Sequence, residues 1–122
     1  MKTSLVVDDS RVVRKVVCRI IQDLGFEVKE AEDGEKAFTY CRENLPDLVF
    51  LDWNMPVMSG IEFLERLREM DKKKKTKVIL CTTESEPGHL DRAITAGADE
   101  YIMKPFDSVI IQTKLKNIGL IN

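Results

Sequence analysis

An open parallel α/β sheet with helices on both faces is the fold this sequence predicts, and three observations predict it. Short apolar runs alternate with stretches of helical periodicity along the whole chain, in five units that each suit one strand and one helix. Runs such as Leu48-Val49-Phe50-Leu51 show no polar alternation, as strands covered on both faces require. The polar residues attached to these runs collect at their C-terminal ends: Asp8-Asp9, Asp52, Thr82-Thr83 and Lys104.

Leu5-Val6-Val7 reads as the first strand. Val12, Val13, Val16, Val17, Ile20, Ile21 and Leu24 then recur at helical spacing, with Ser10 placed to cap the helix and Gly25 to close it in a left-handed conformation. Phe26 to Ala31 alternates as a strand near the sheet edge. Asp33-Gly34 makes a turn, and Glu35 to Asn44 forms the second helix with Ala37, Phe38 and Cys41 inward; Pro46-Asp47 breaks it. Leu48 to Leu51 is the third strand. A third helix starts near Ser59-Gly60 and carries Ile61, Leu64, Leu67 and Met70 on one stripe. Lys72 to Lys75 is a solvated basic connection. Val78 to Cys81 is the fourth strand. Pro87 suits the first turn of a fourth helix that runs to Ala96 and stops at Gly97. Tyr101 to Met103 is a short fifth strand, and Asp107 or Ser108 caps a last helix to about Ile118. Right-handed crossovers join such units.

The 122 residues fit one domain, 1–122, with 43% hydrophobic and 33% charged residues. Nineteen Lys+Arg face 21 Asp+Glu for a net charge of -2, which gives no general attraction for nucleic acid. The apolar runs are too short to span a bilayer, and the start lacks the apolar stretch of a signal peptide. Cys18, Cys41 and Cys81 are far apart and odd in number, so they read as buried reduced thiols in a cytoplasmic protein. His89 is the only histidine, which excludes multi-histidine metal sites and His-dyad catalysis.

Strand C-termini of an open parallel sheet share one rim, where ligands bind. Asp8, Asp9 and Asp52 converge there, and three close carboxylates need a counter-charge to ionise together. A hard divalent cation and Lys104 can supply it, and Thr82 adds a hydroxyl. Taken singly, Asp9 is a common helix cap, and a lone Thr or Lys at a strand end means little. Their joint placement points to recognition of an anionic group, with phosphoryl the chemical match.

Val6-Val7-Asp8-Asp9-Ser10, Leu51-Asp52-Trp53-Asn54-Met55-Pro56, Ser59-Gly60, Thr82 and Lys104-Pro105-Phe106 together resemble the receiver domains of bacterial two-component response regulators, over essentially the whole chain. The resemblance implies a flavodoxin-like, CheY-like (βα)5 sandwich with strand order 2-1-3-4-5. It implies that Asp52 accepts the phosphoryl group, and that Asp8, Asp9, Asp52 and the backbone carbonyl of Asn54 hold Mg2+. By the same resemblance, Thr82 and Lys104 contact the phosphoryl group and the Lys104-Pro105 bond is cis. Tyr101 is then the aromatic switch that follows Thr82, and Asn54 and Glu84 tune self-dephosphorylation. Thr83 and the Ser85-Glu86-Pro87-Gly88 stretch depart from the family's commonest pattern. Thr83 can narrow access to Asp52, and Pro87-Gly88 can shorten or loosen the start of the fourth helix.

The partners so implied are a histidine kinase as phosphodonor and a target protein. The segment 96–107 and the ending Gly119-Leu120-Ile121 look most like alphaproteobacterial chemotaxis members, which makes the flagellar motor switch the expected target of a stand-alone, monomeric receiver without an output domain. A receiver of another pathway, in cell-cycle or stress signalling or a phosphorelay, shares the same chemistry. A small Mg2+-dependent phosphatase is disfavoured because the chain has no room for a cap, and a flavin-binding reading because the loops lack a phosphate cradle. The expected output face comprises Leu90, Ile94, Tyr101, Met103 and Lys114. For Leu90 and Ile94, core packing is an equal expectation from their spacing.

Overall fold

The computed structural model describes residues 1–83 and 88–122. Within them lie β1 (Thr3–Val7), α1 (Arg11–Asp23), β2 (Glu27–Ala31), α2 (Gly34–Glu43), β3 (Leu48–Asp52), α3 (Gly60–Met70), β4 (Lys77–Thr82), α4 (His89–Ala96), β5 (Glu100–Met103) and α5 (Ser108–Asn117). The strands pair in parallel in the order β2-β1-β3-β4-β5, as expected.

Side chains alternate across each strand, so every strand feeds two cores. Leu48 and Phe50 of β3 join Val6, Ile79, Cys81 and Ile102 beneath Val17, Cys18 and Ile21 of α1 and Ile111 and Leu115 of α5. Val49 and Leu51 join Leu5, Val7, Val78 and Leu80 beneath α2, α3 and α4. All of β3 is buried, which explains its unbroken apolar run.

Helix starts are set by local chemistry. Ser10, Asp33, Ser59 and Asp107 each accept a hydrogen bond from a first-turn amide of α1, α2, α3 and α5. Each cap is worth about 1 kcal/mol. Helix α4 begins differently: Gly88 precedes it at φ 97°, with no side-chain cap.

Two expectations need correction. Val12 and Val16 share the helical periodicity of α1 but are 74% and 53% exposed, because the apolar stripe of α1 is wider than the strip of sheet it covers. Met70 closes α3 as an exposed residue, while Phe63, not assigned to the inner stripe, is fully buried. The described part of α4 begins at His89, and the expected role of Pro87 lies outside the described residues. Cys18, Cys41 and Cys81 are free and buried, as expected. Burial raises their thiol pKa values to about 11, 12 and 12, which leaves them unreactive near neutral pH.

Candidate functional site

Parallel pairing in register brings the ends of β1, β3, β4 and β5 to one rim. Asp52 sits opposite Cys81, and Thr82 opposite Met103. The ladder continues past the strands: the Trp53 amide donates to the Cys81 carbonyl at 2.8 Å, and the Lys104 amide to the Thr82 carbonyl at 2.8 Å. Lys104 is thereby carried to the acidic strand ends, and the Lys104-Pro105 peptide is cis.

The three expected acids do converge. Asp8, Asp9 and Asp52 each offer a carboxylate oxygen within 4.8 Å of the others. Asp8 and Asp52 are buried and Asp9 is exposed, so the cluster opens to solvent on one side. Lys104 Nζ lies 3.3 Å from Asp8 Oδ2 and 3.3 Å from Asp52 Oδ1. The other Asp8 oxygen, Oδ1, accepts from the Ser10 amide at 2.8 Å.

The electrostatics are those of an under-neutralised anionic site. Burial first, then the Asp8 carboxylate, raises the Asp52 carboxyl from 3.8 to about 6, against the opposing pull of Lys104 and of an Asn54 backbone hydrogen bond. Burial lowers the Lys104 ammonium, but Asp52 and Asp8 outweigh it and the net shift is upward. A single ammonium shared between two buried carboxylates leaves charge uncompensated. A further cation relieves it. The donor set is all oxygen, carboxylate-rich and open on one side, which fits Mg2+ with its retained waters.

The loop after Asp52 is held tightly. A Cβ added at Gly60 would stand 2.3 Å from the Asp52 carbonyl oxygen, so only glycine lets α3 begin against the acidic strand end. The Gly60 amide donates to the Trp53 carbonyl at 2.9 Å. Trp53 is buried, its ring 4.4 Å from that of His89, with the Arg92 guanidinium 5.6 Å from the indole. This stack links the residue after Asp52 to the first turn of α4. Spacing could not reveal it, since 36 positions separate the two rings.

Thr82 is fully buried at the end of β4. Leu80 and Tyr101 are register partners on the α3–α4 side of the sheet, and Thr82 follows Leu80 by two positions, so Thr82 and Tyr101 share a face. Leu90 and Ile94 are 52% and 62% exposed, while Ala93 and Ala96 make the inward face of α4; the core-packing alternative for Leu90 and Ile94 is therefore corrected. Together with Tyr101 they line one groove. Met103 is half-buried, and Lys114 pairs with Glu100 at 3.1 Å. Asn54 is exposed beside the acids, whereas Glu84 lies outside the described residues. Thr83 is exposed and lines a second, apolar groove with Val12, Val13, Val16, Pro105 and Phe106.

Comparison with known proteins agrees with this fold. Residues 4–116 match the family model for the response regulator receiver domain. Chemotaxis protein CheY-3 of Vibrio cholerae is 36% identical over 115 residues, covering 93% of this chain and 88% of that protein. Phosphate regulon transcriptional regulatory protein PhoB of Escherichia coli is 35% identical over 114 residues, covering 93% of this chain and 50% of that protein. The chain thus spans about half the length of its PhoB relatives and most of the length of its CheY relatives. Among solved structures, CheY4 of Vibrio cholerae superposes with a TM-score of 0.90 at 34% identity, covering 97% of this chain and 98% of that one. The CheY chain of a CheX-CheY-BeF3-Mg+2 complex from Borrelia burgdorferi gives 0.90 at 29% identity, over 96% and 88% of the two chains.

Proposed function

The chain belongs to the response regulator receiver domain family, and from that premise we propose that it is a phosphorylation-activated switch that takes a phosphoryl group on Asp52 and then docks to a target protein. The observation that carries this reading is the placement of Lys104 between Asp52 and Asp8, 3.3 Å from each, beside an acidic cluster open to solvent.

Phosphoryl transfer asks for positioning and charge neutralisation more than for covalent assistance. Asp52 presents a carboxylate oxygen as nucleophile. As its O–P bond forms, the N–P bond of a donor phosphohistidine breaks, and the leaving imidazole keeps the electron pair. Lys104 stands ready to pair with an oxygen of the incoming group. Asp8, Asp9, Asp52 and the Asn54 carbonyl would hold Mg2+, which when bound supplies the positive charge the transferred group requires. Thr82 donates its hydroxyl to the new phosphoryl oxygens. Tyr101, on the same face, responds to that change and alters the groove it shares with Leu90 and Ile94. Asn54 and Glu84 orient the water that ends the signal. On this reading the protein is a phosphoacceptor rather than a turnover enzyme, acts as a monomer and works in the cytoplasm. Among the described residues no helix is long and apolar enough to cross a membrane.

Chemotaxis is the pathway we favour, with a histidine kinase as donor and the flagellar motor switch as target. It is supported by CheY relatives matched over most of their length and by a relative solved in complex with CheX. A receiver of another two-component pathway is the second reading, supported by the comparable identity to PhoB. Incubation with labelled acetyl phosphate and Mg2+ tests the acceptor. One stoichiometric label on the parent and none on Asp52→Asn is expected; a full label on Asp52→Asn overturns the assignment. Binding to purified motor-switch protein, with and without beryllofluoride, separates the two pathways.

A further inference from the structure

We propose that Arg14 is a positioning residue for the cation site: it clamps the peptide between Asp8 and Asp9 so that both carboxylates converge. The proposal rests on the metal-site reading above. Arg14 lies on the first turn of α1, with its side chain only 14% exposed. Its Nη1 donates to the Asp8 carbonyl oxygen at 2.8 Å, and its Nε donates to Glu30 Oε1 at 3.0 Å. Glu30 belongs to β2 and is itself held by Lys15 Nζ at 2.8 Å. Lys15 first, and Arg14 with it, keep the Glu30 carboxyl below its usual range despite partial burial, so Glu30 is a charged anchor at neutral pH.

The geometry explains why a clamp matters at this place. A peptide unit is planar, so fixing the Asp8 carbonyl oxygen fixes rotation about the Asp8 Cα–C bond and the position of the Asp9 Cα. Asp8 is already secured, with Oδ1 on the Ser10 amide at 2.8 Å, Oδ2 facing Lys104 at 3.3 Å and its own amide on the Ala31 carbonyl at 3.2 Å. Asp9 is exposed, at the point where the chain leaves the sheet. Its carboxylate reaches the cluster only if the preceding peptide holds its angle. The forked guanidinium answers two acceptors at once, one on β2 and one on the loop, which a lysine ammonium cannot do with the same fixed geometry.

This role makes a prediction opposite in sign to simple electrostatics. Arg14 is a cation near a cation site, so deleting it removes repulsion and favours Mg2+ on charge alone. A positioning role predicts weaker binding instead, by about tenfold, the scale on which residues that orient metal ligands act.

The test is a Mg2+ titration followed by amide NMR shifts at neutral pH, on the parent, Arg14→Ala, Arg14→Lys and Lys15→Ala. Lys15→Ala removes the same unit of charge from the same Glu30 and leaves the clamp in place. The expected result is weakening in Arg14→Ala, an intermediate value for Arg14→Lys, and Lys15→Ala within twofold of the parent. Equal or tighter Mg2+ binding by folded Arg14→Ala overturns the proposal, as does equal weakening in Lys15→Ala. If Arg14→Ala does not fold, Arg14→Lys carries the test, and parent-like affinity there overturns the proposal. A parent that binds no Mg2+ overturns the metal reading itself, a result distinct from a variant that matches a binding-competent parent.

Discussion

Lys104 Nζ and Asp52 Oδ1 stand 3.3 Å apart, joined across the sheet from the residue after β5 to the end of β3, and the same ammonium is equally close to Asp8. One positive charge divided between two buried carboxylates cannot satisfy both. Asp52 shows the consequence as a carboxyl raised to about 6 by burial and by Asp8. The domain without cation therefore stores unfavourable charge at its rim.

The first prediction concerns pH. Asp52 titrates at about 6 in the folded chain against 3.8 for the ordinary carboxyl. A raised acid contributes stability that is fully present below pH 3.8 and is lost as pH rises through about 6. Asp52→Asn removes this loss, so at pH 7 without Mg2+ the variant should be more stable than the parent, by up to about 3 kcal/mol. The two should converge near pH 4. Urea unfolding at both pH values measures this, and a variant less stable at pH 7 contradicts it.

The same titration governs cation binding. Mg2+ requires the ionised carboxylate, so affinity should fall as pH drops below about 6, approaching about tenfold per unit. Trp53, adjacent to Asp52 and stacked on His89, should report the binding as a change in emission. Asp9→Ala should shift that titration to higher Mg2+ concentration; an unchanged curve would remove Asp9 from the ligand set.

A third prediction concerns backbone strain beside the site. Val57 has φ 70°, and the Met58 amide donates to the Pro56 carbonyl at 2.8 Å, which makes a γ-turn centred on a β-branched residue. Its side chain is 75% exposed, so little packing compensates. Asparagine tolerates this conformation better. Val57→Asn should raise stability by about 1 kcal/mol in urea unfolding; a destabilised variant would show that the valine side chain does contribute.

A fourth concerns the end of the domain away from the rim. Arg68 Nη2 pairs with Asp99 at 2.9 Å, Nη1 donates to the Thr76 carbonyl at 2.7 Å, and Nε donates to the Gly97 carbonyl at 3.0 Å. This ties α3, the start of β4 and the α4–β5 turn together. Arg68→Ala takes the guanidinium away from the two carbonyls and from the Asp99 and Asp71 carboxylates, which keep only backbone donors, Val78 on Asp99 and Lys75 and Thr76 on Asp71, and should cost about 3 kcal/mol, with Mg2+ affinity unchanged. Parallel urea and Mg2+ titrations check the separation.

The last concerns output. Leu90, Ile94 and Tyr101 line one groove, and the Lys114–Glu100 pair lies next to it. Phosphorylation should tighten target binding through Tyr101 by about 1–3 kcal/mol, and target should reciprocally favour the phosphorylated form. Tyr101→Ala and Lys114→Glu should phosphorylate normally and bind target less well in a fluorescence titration. Parent-like binding by both would place the output surface elsewhere.

The five-strand alternation, the Ser10 and Asp107 caps and the convergence of Asp8, Asp9, Asp52, Thr82 and Lys104 on one rim were legible from the chain alone. Each is written in a short window: a run of apolar residues, a Ser or Asp three positions before its amide partner, a polar residue just past a strand. Parallel topology then carries all strand ends to one side. Tertiary structure alone decided the rest. Val12 and Val16 obey the same period as Val17 yet face solvent, because how much of a helix is covered depends on the width of sheet beneath it. The Arg14 clamp spans α1, β2 and the end of β1, and the Trp53–His89 stack joins β3 to α4. The shift of Asp52 depends on burial by the whole domain and on Asp8, 44 positions away in sequence. Periodicity encodes which face a residue takes on its own element, while contacts and solvent exclusion between distant elements set how a side chain is charged, held and exposed.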